Sequence, residues 1–150
     1  MKDYKEFQFG WLIFALIIPA QILITYSYLL NGDKPFEIMG FMTVSIILIL
    51  LYLLFYGLTT KISGDTIVIT FGIGLIKRRI KIERIIAAEA VKNPWYYGWG
   101  IRYFPKGMLY NINGSSGVEI KFKDTEDMIR IGTMDSAKLK QEITKRIKVE

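Results

Sequence analysis

The chain has 150 residues, among them no cysteine and no histidine. Without cysteine there is no disulfide framework and no thiolate nucleophile. Without histidine the usual general base near neutral pH is missing, as is every triad that depends on imidazole. The two absences together remove the usual zinc and copper ligands. Phosphate-cradling loops are missing as well. Gly72-Ile73-Gly74 lacks the third glycine and the strand-to-helix setting of a dinucleotide fingerprint, and no Walker-type sequence occurs. Carboxylate or lysine chemistry is what remains, and it would need Glu83, Glu89 and Glu119 to converge on one pocket. The expectation is a protein that is not an enzyme and uses no cofactor and no metal.

What the chain does have is apolar length. Ile38 to Leu58 is an uncharged run of 21 residues. As a helix it covers ~30 Å, the thickness of a bilayer's hydrocarbon core. Trp11 to Leu30 adds 20 uncharged residues, more than the ~7–15 of a signal-peptide core, and no small-x-small cleavage pattern follows. Both runs are expected to span a membrane. Trp11, Tyr26, Tyr28, Tyr52 and Tyr56 lie toward the span ends, where amphipathic rings prefer the headgroup level. Residues 31–37, NGDKPFE, make a turn-rich connection so short that the spans become antiparallel neighbours.

Few polar side chains interrupt the spans. Gln21, Thr25, Thr43 and Ser45 are expected as interhelical contacts worth ~0.6 kcal/mol each. A polar step in a transport path is the other reading, and the lack of any ionisable residue in the spans weighs against it. Residues 59–150 carry 17 Lys and Arg against 10 Asp and Glu. The positive-inside rule then places both chain ends in the cytoplasm of a two-pass plasma (inner) membrane protein. Met1 to Gly10 reads as a short polar leader. The organisation expected is a membrane hairpin over residues 1–58 and a cytoplasmic domain over residues 59–150.

Past Leu58 the pattern changes to alternation. Thr66 to Phe71 and Leu75 to Lys81 suggest a hairpin, Ile86 to Lys92 is ambiguous, and Ile101 to Phe104, Met108 to Ile112, Val118 to Lys123 and Met128 to Gly132 follow as short strands between turn-rich separators. Val118, Ile120 and Phe122 are expected to face a core, with Glu119, Lys121 and Lys123 in water. Asp135 is an N-cap candidate for a terminal helix in which Leu139, Ile143 and Ile147 form one apolar stripe. Strands followed by one amphipathic helix suggest a compact barrel or strongly bent sandwich whose open side the helix covers.

The segment Tyr97-Gly98-Trp99-Gly100-Ile101-Arg102, with Gly107, Leu109-Tyr110-Asn111 and Ile131-Gly132-Thr133 downstream, resembles the bacterial pleckstrin-homology-like (PH-like) domains found behind a pair of membrane helices. The likeness covers residues 58–148. It implies an α+β membrane protein in which about seven antiparallel strands form a bent barrel or sandwich closed by the C-terminal helix. It implies no shared catalytic set. Where the wider fold binds phosphoinositides it uses a basic loop between the first two strands, and here that loop is the short, acidic Ser63-Gly64-Asp65.

Two groups are candidates for contact with a partner. Lys77, Arg79 and Lys81 share one face of a strand within ~13 Å and are suited to anionic lipid headgroups or an acidic partner. The alternative is a solvated edge strand protected by its charge. Trp95 and Tyr96, beside Pro94, are either an exposed aromatic surface or loop packing, whereas Trp99 is expected in the core. Arg102 and Arg130 are expected to satisfy nearby carboxylates. Interleaved acids and the lack of a recognition motif argue against nucleic acid. The function these readings favour is a non-catalytic, membrane-anchored scaffold or adaptor that binds a protein partner, anionic phospholipid headgroups, or both. The alternative is a small accessory subunit of a transport or envelope complex that acts through its two spans.

Overall fold

The structure is a computed structural model that describes residues 3–30 and 38–147. The connection at residues 31–37 and the last residues of the expected terminal helix lie outside the described residues. Two apolar helices, α1 (Trp11–Leu30) and α2 (Ile38–Phe55), stand out from an α+β body and have no buried residue. Their mean hydropathies, 1.9 and 2.6, and their lengths suffice to cross a membrane. The second helix is shorter than the apolar run that encodes it. Gly57 and Leu58 already belong to a strand, and Leu58 is fully buried in the body's core. Its apolar character serves the core, which the uninterrupted run concealed.

The ten-residue leader is not a leader. Tyr4–Phe9 forms strand β1, which pairs antiparallel with β2 (Gly57–Ser63), from Tyr4 opposite Ile62 to Phe9 opposite Gly57. The hairpin α1–α2 is therefore inserted between two hydrogen-bonded neighbours. Strands β3 (Thr66–Phe71) and β4 (Ile76–Lys81) complete a four-stranded sheet in the order β1-β2-β3-β4. A division at residue 58 would cut β2 and separate it from β1.

The second sheet holds β5 (Ile85–Lys92), β6 (Gly100–Phe104), β7 (Gly107–Asn111), β8 (Ser116–Phe122) and β9 (Met128–Gly132), in the order β5-β8-β9-β7-β6. There are thus nine strands among the described residues rather than about seven, in two sheets with no closed barrel. Nor are all the neighbours antiparallel, because β7 pairs parallel with β9. The ambiguous segment is β5. Its IIAAEAVK is rich in helix formers, but a full ladder to β8 overrides propensity, with an irregularity between Ile85 and Ala87.

The core lies between the sheets. Ile62, Ile67, Ile69 and Phe71 meet Val118, Ile120 and Ile131, and Leu139 and Ile143 of α3 (Ser136–Ile147) seal one side. At the start of α3, Lys138 N donates to Asp135 Oδ1 at 2.9 Å, the bond expected of an N-cap. Strand β1 ties the sheets together through polar groups. Gln8 Nε2 donates to the Gly132 carbonyl at 2.7 Å, and Glu6 accepts from Thr133 Oγ1 and Met134 N at 2.7 Å each.

Candidate functional site: the base of the apolar helices and the outer sheet face

The junction between helices and body has no slack. Gly10 N donates to Tyr56 O at 2.8 Å, which carries the β1–β2 ladder up to the first residue of α1. A Cβ on Gly10 would stand 2.8 Å from Phe55 O, so only glycine allows the two chains so close. The β3–β4 turn docks on the other side of α2. Ile73 N donates to Leu53 O at 3.0 Å and Gly72 N to Gly57 O at 2.8 Å. Gly72 has φ +49, and a side chain there would run into the Leu53 and Leu54 carbonyls. Phe55 meets Phe71 edge-on at 5.8 Å, which joins the helix end to the core.

Trp99 belongs to this junction and not to the core. It is 37% exposed and, with Ile13, Phe55, Ile101, Arg102 and Ile112, lines a cleft of about 260 Å³ beside the first turn of α1. The start of β6 lies next to the helix base, so the tryptophan looks out at the joint. Trp95 and Tyr96 are exposed, edge-to-face at 6.2 Å. Arg102 meets no carboxylate among the described residues, and its Nε donates to Trp99 O at 3.2 Å.

Within the hairpin, Gln21 Nε2 donates to Ser45 Oγ at 3.0 Å, joining the two helices. Thr25 and Thr43 do not join them. Thr25 Oγ1 donates to Gln21 O and Thr43 Oγ1 to Met39 O, each 2.8 Å away in its own helix. Inside a helix a threonine hydroxyl readily bonds back to the carbonyl one turn earlier, which uses up the donor that could have reached across.

The basic strand β4 is split by its direction. It leaves the helix base at Ile76, so Lys77 lies beside the junction and Lys81 is ~13 Å farther along the strand. Lys81 pairs with Glu83 at 3.1 Å. At that far end Arg78, Arg79, Lys81, Arg84 and Phe122 line a basic groove of about 310 Å³, with Arg84 held by Asp124 at 3.1 Å. Lys77, Arg79 and Lys81 therefore lie at increasing distance from the helix base. Arg78 is close enough to Tyr110 to act on its hydroxyl. Burial raises that group's pKa above 10.0, and the Arg78 charge opposes the rise.

On the outer face of the second sheet Arg130 meets a carboxylate, as expected of it, in a site the sequence reading did not otherwise single out. Glu119 is buried there and accepts from Arg130 Nε at 2.8 Å. The Arg130 guanidinium lies 4.6 Å from the centre of the Phe104 ring and 5.8 Å from that of Tyr97, and the two rings stack at 6.1 Å. Glu89, directly opposite Glu119, pairs with Lys121 at 3.1 Å. Around these groups two connected clefts of about 410 and 540 Å³ share Pro105, Lys106, Lys121 and Met128. Alternation had placed Glu119 in water, but Tyr97, four residues after Asn93, and Phe104 come over the sheet to cover it. Glu83, Glu89 and Glu119 each face a different cation and do not converge. Among the described residues no three His, Cys, Asp or Glu side chains gather as metal ligands.

Set against family models, curated proteins and solved structures, the chain matches none. Function must be argued from geometry.

Proposed function

We propose that the protein is a non-catalytic, membrane-anchored adaptor. In this reading α1 and α2 cross the plasma (inner) membrane as a hairpin, and the two-sheet body sits on the cytoplasmic face, the side favoured by its excess of basic residues. The observation that carries the reading is the insertion of the hairpin between β1 and β2. The body is joined to the bilayer at two strands of one sheet, with Gly10 and Tyr56 hydrogen-bonded at the joint. Such a joint fixes height and orientation, as a flexible linker does not.

A body held in this way presents its far end to the cytoplasm. There the clefts around Phe104, Lys106, Lys121 and Met128 combine apolar side chains with charged ones, the composition of a modest protein-binding surface. The pairing of two sheets with one C-terminal helix supports the likeness to PH-like domains in that general sense only.

Topology is the direct test. The chain should remain in membranes after carbonate washing. A cysteine placed at Asp65 should react with an impermeant maleimide only after the cells are opened. Labelling in intact cells would overturn the cytoplasmic placement, and release by carbonate would overturn the spans.

A further inference from the structure

We propose that the β3–β4 turn, residues 72–75, is a membrane-docking loop. Its Ile73 and Leu75 side chains enter the interfacial layer of the leaflet that α2 leaves, and Lys77 meets anionic phosphate headgroups beside them. The inference rests on α1 and α2 being spans and adds a third, non-helical point of insertion.

Depth is the first argument. Helix α2 has 18 residues, a rise of only ~27 Å against a hydrocarbon core of ~30 Å. It has no length to spare, so its last turn must lie at the edge of the hydrocarbon. Ile73 N is hydrogen-bonded to Leu53 O within that last turn, so the loop lies at the same depth. It cannot swing away, because Gly72 is packed against the Leu53 and Leu54 carbonyls.

Chemistry is the second. The same sheet has a turn at each end. The far one, between β2 and β3, is Gly64-Asp65, the polar composition that tight turns in water prefer. The near one exposes Ile73 and Leu75, 56% and 75% accessible, to whatever lies beside the helix. Trp11 at the start of α1 is 62% exposed at the same joint and is a residue type that favours the headgroup boundary. The stem of Lys77 folds back over the turn, with Cε 3.1 Å from where a Gly74 Cβ would stand. No carboxylate among the described residues pairs with it. An apolar tip with a cation just behind it is complementary to an anionic leaflet.

The natural absence of cysteine makes the test clean. Single-cysteine variants Leu23→Cys, Leu75→Cys and Asp65→Cys of the full chain, all at exposed positions, are labelled with one fluorophore and reconstituted in nanodiscs. The discs contain phosphatidylcholine and phosphatidylglycerol doped with nitroxide lipids. The expected result is strong quenching at 23 and 75 and none at 65. Quenching at 23 with none at 75 overturns the docking loop while leaving the spans intact, and the turn is then a surface open to protein. Quenching at 65 equal to that at 75 also overturns it, since the body would then lie flat. No quenching at 23 removes the spans and the loop together. Adding Lys77→Glu should lower quenching at 75 in these discs and leave it unchanged in discs of phosphatidylcholine alone. An unchanged signal in both refutes the headgroup contact.

Discussion

Gln8 and Gly132 are 124 positions apart in the chain and share a buried hydrogen bond of 2.7 Å, from the amide of one to the carbonyl of the other. The bond joins the strand that precedes α1 to the strand that leads into α3. Gln8→Ala would leave the Gly132 carbonyl buried and unpaired, a loss of ~1–3 kcal/mol. Thermal unfolding of the full chain in detergent should show a clear fall in midpoint. The neighbouring exposed Lys5→Ala should leave it within ~0.5 kcal/mol of the parent.

The insertion of the hairpin predicts an asymmetry between two ways of removing it. Replacing residues 11–55 by Asn-Gly joins Gly10 to Tyr56 through a two-residue turn, the shortest connection that paired antiparallel strands accept. That variant should be water-soluble, with dispersed amide resonances. Starting the chain at residue 57 instead removes β1 and with it the bonds from Glu6 and Gln8. It should yield aggregated or poorly dispersed protein. If adaptor binding resides in the body, the first variant keeps it, and if the spans are the working part, it is lost.

Arg130 should be the costliest single charge to remove. Its partner Glu119 has a side chain only 10% exposed, so Arg130→Ala leaves a carboxylate largely buried and unpaired, at ~3–5 kcal/mol. Arg130→Lys keeps the charge but not the flat guanidinium over Phe104. Chemical denaturation should rank the parent above the lysine variant and that above the alanine variant. Adding Glu119→Gln to Arg130→Ala should recover part of the loss.

Two groups give the stability curve its edges in pH. The hydrogen bond from Arg146 Nη1, 2.7 Å long, is the main cause that lowers the Glu142 pKa below 4.5. Its contribution is fully present above 4.5 and is lost as pH falls through the depressed value, so Glu142→Gln should flatten the acid limb. Tyr4 behaves in the opposite sense. Burial, reinforced by the hydrogen bond to Glu6, raises its pKa well above 10.0. Above pH 10.0 the unfolded chain releases that proton first, so stability falls as pH rises, by at most ~1.4 kcal/mol per unit. Tyr4→Phe should remove that slope in denaturation series run between neutral and alkaline pH.

The apolar helices were legible because length and lack of charge are one-dimensional properties, and α3 because its apolar stripe is local. Strand β1 was hidden because its buried face is polar. Tyr4, Glu6 and Gln8 point inward while Phe7 is 48% exposed, the reverse of the usual alternation, and the distant partners of Glu6 and Gln8 lie at residues 132–134. The parallel pairing of β7 with β9 carries no sequence signature, since each strand alone fits either direction. Lys77, Arg79 and Lys81 were rightly placed on one strand. What the spacing could not reveal is that this strand runs away from the helix base. Arg130 was expected to meet a carboxylate, and it does, but the burial of Glu119 was missed because the rings that cover it arrive from a different strand and loop.

The order in which the chain is made gives the joint a further meaning. Strand β1 is made before the two helices, and its neighbour β2 only after both. In the proposed two-span reading, insertion of one helix without the other would leave β1 and β2 on opposite sides of the bilayer. The body could not then zip up, so on that reading its maturation would depend on the insertion of both helices.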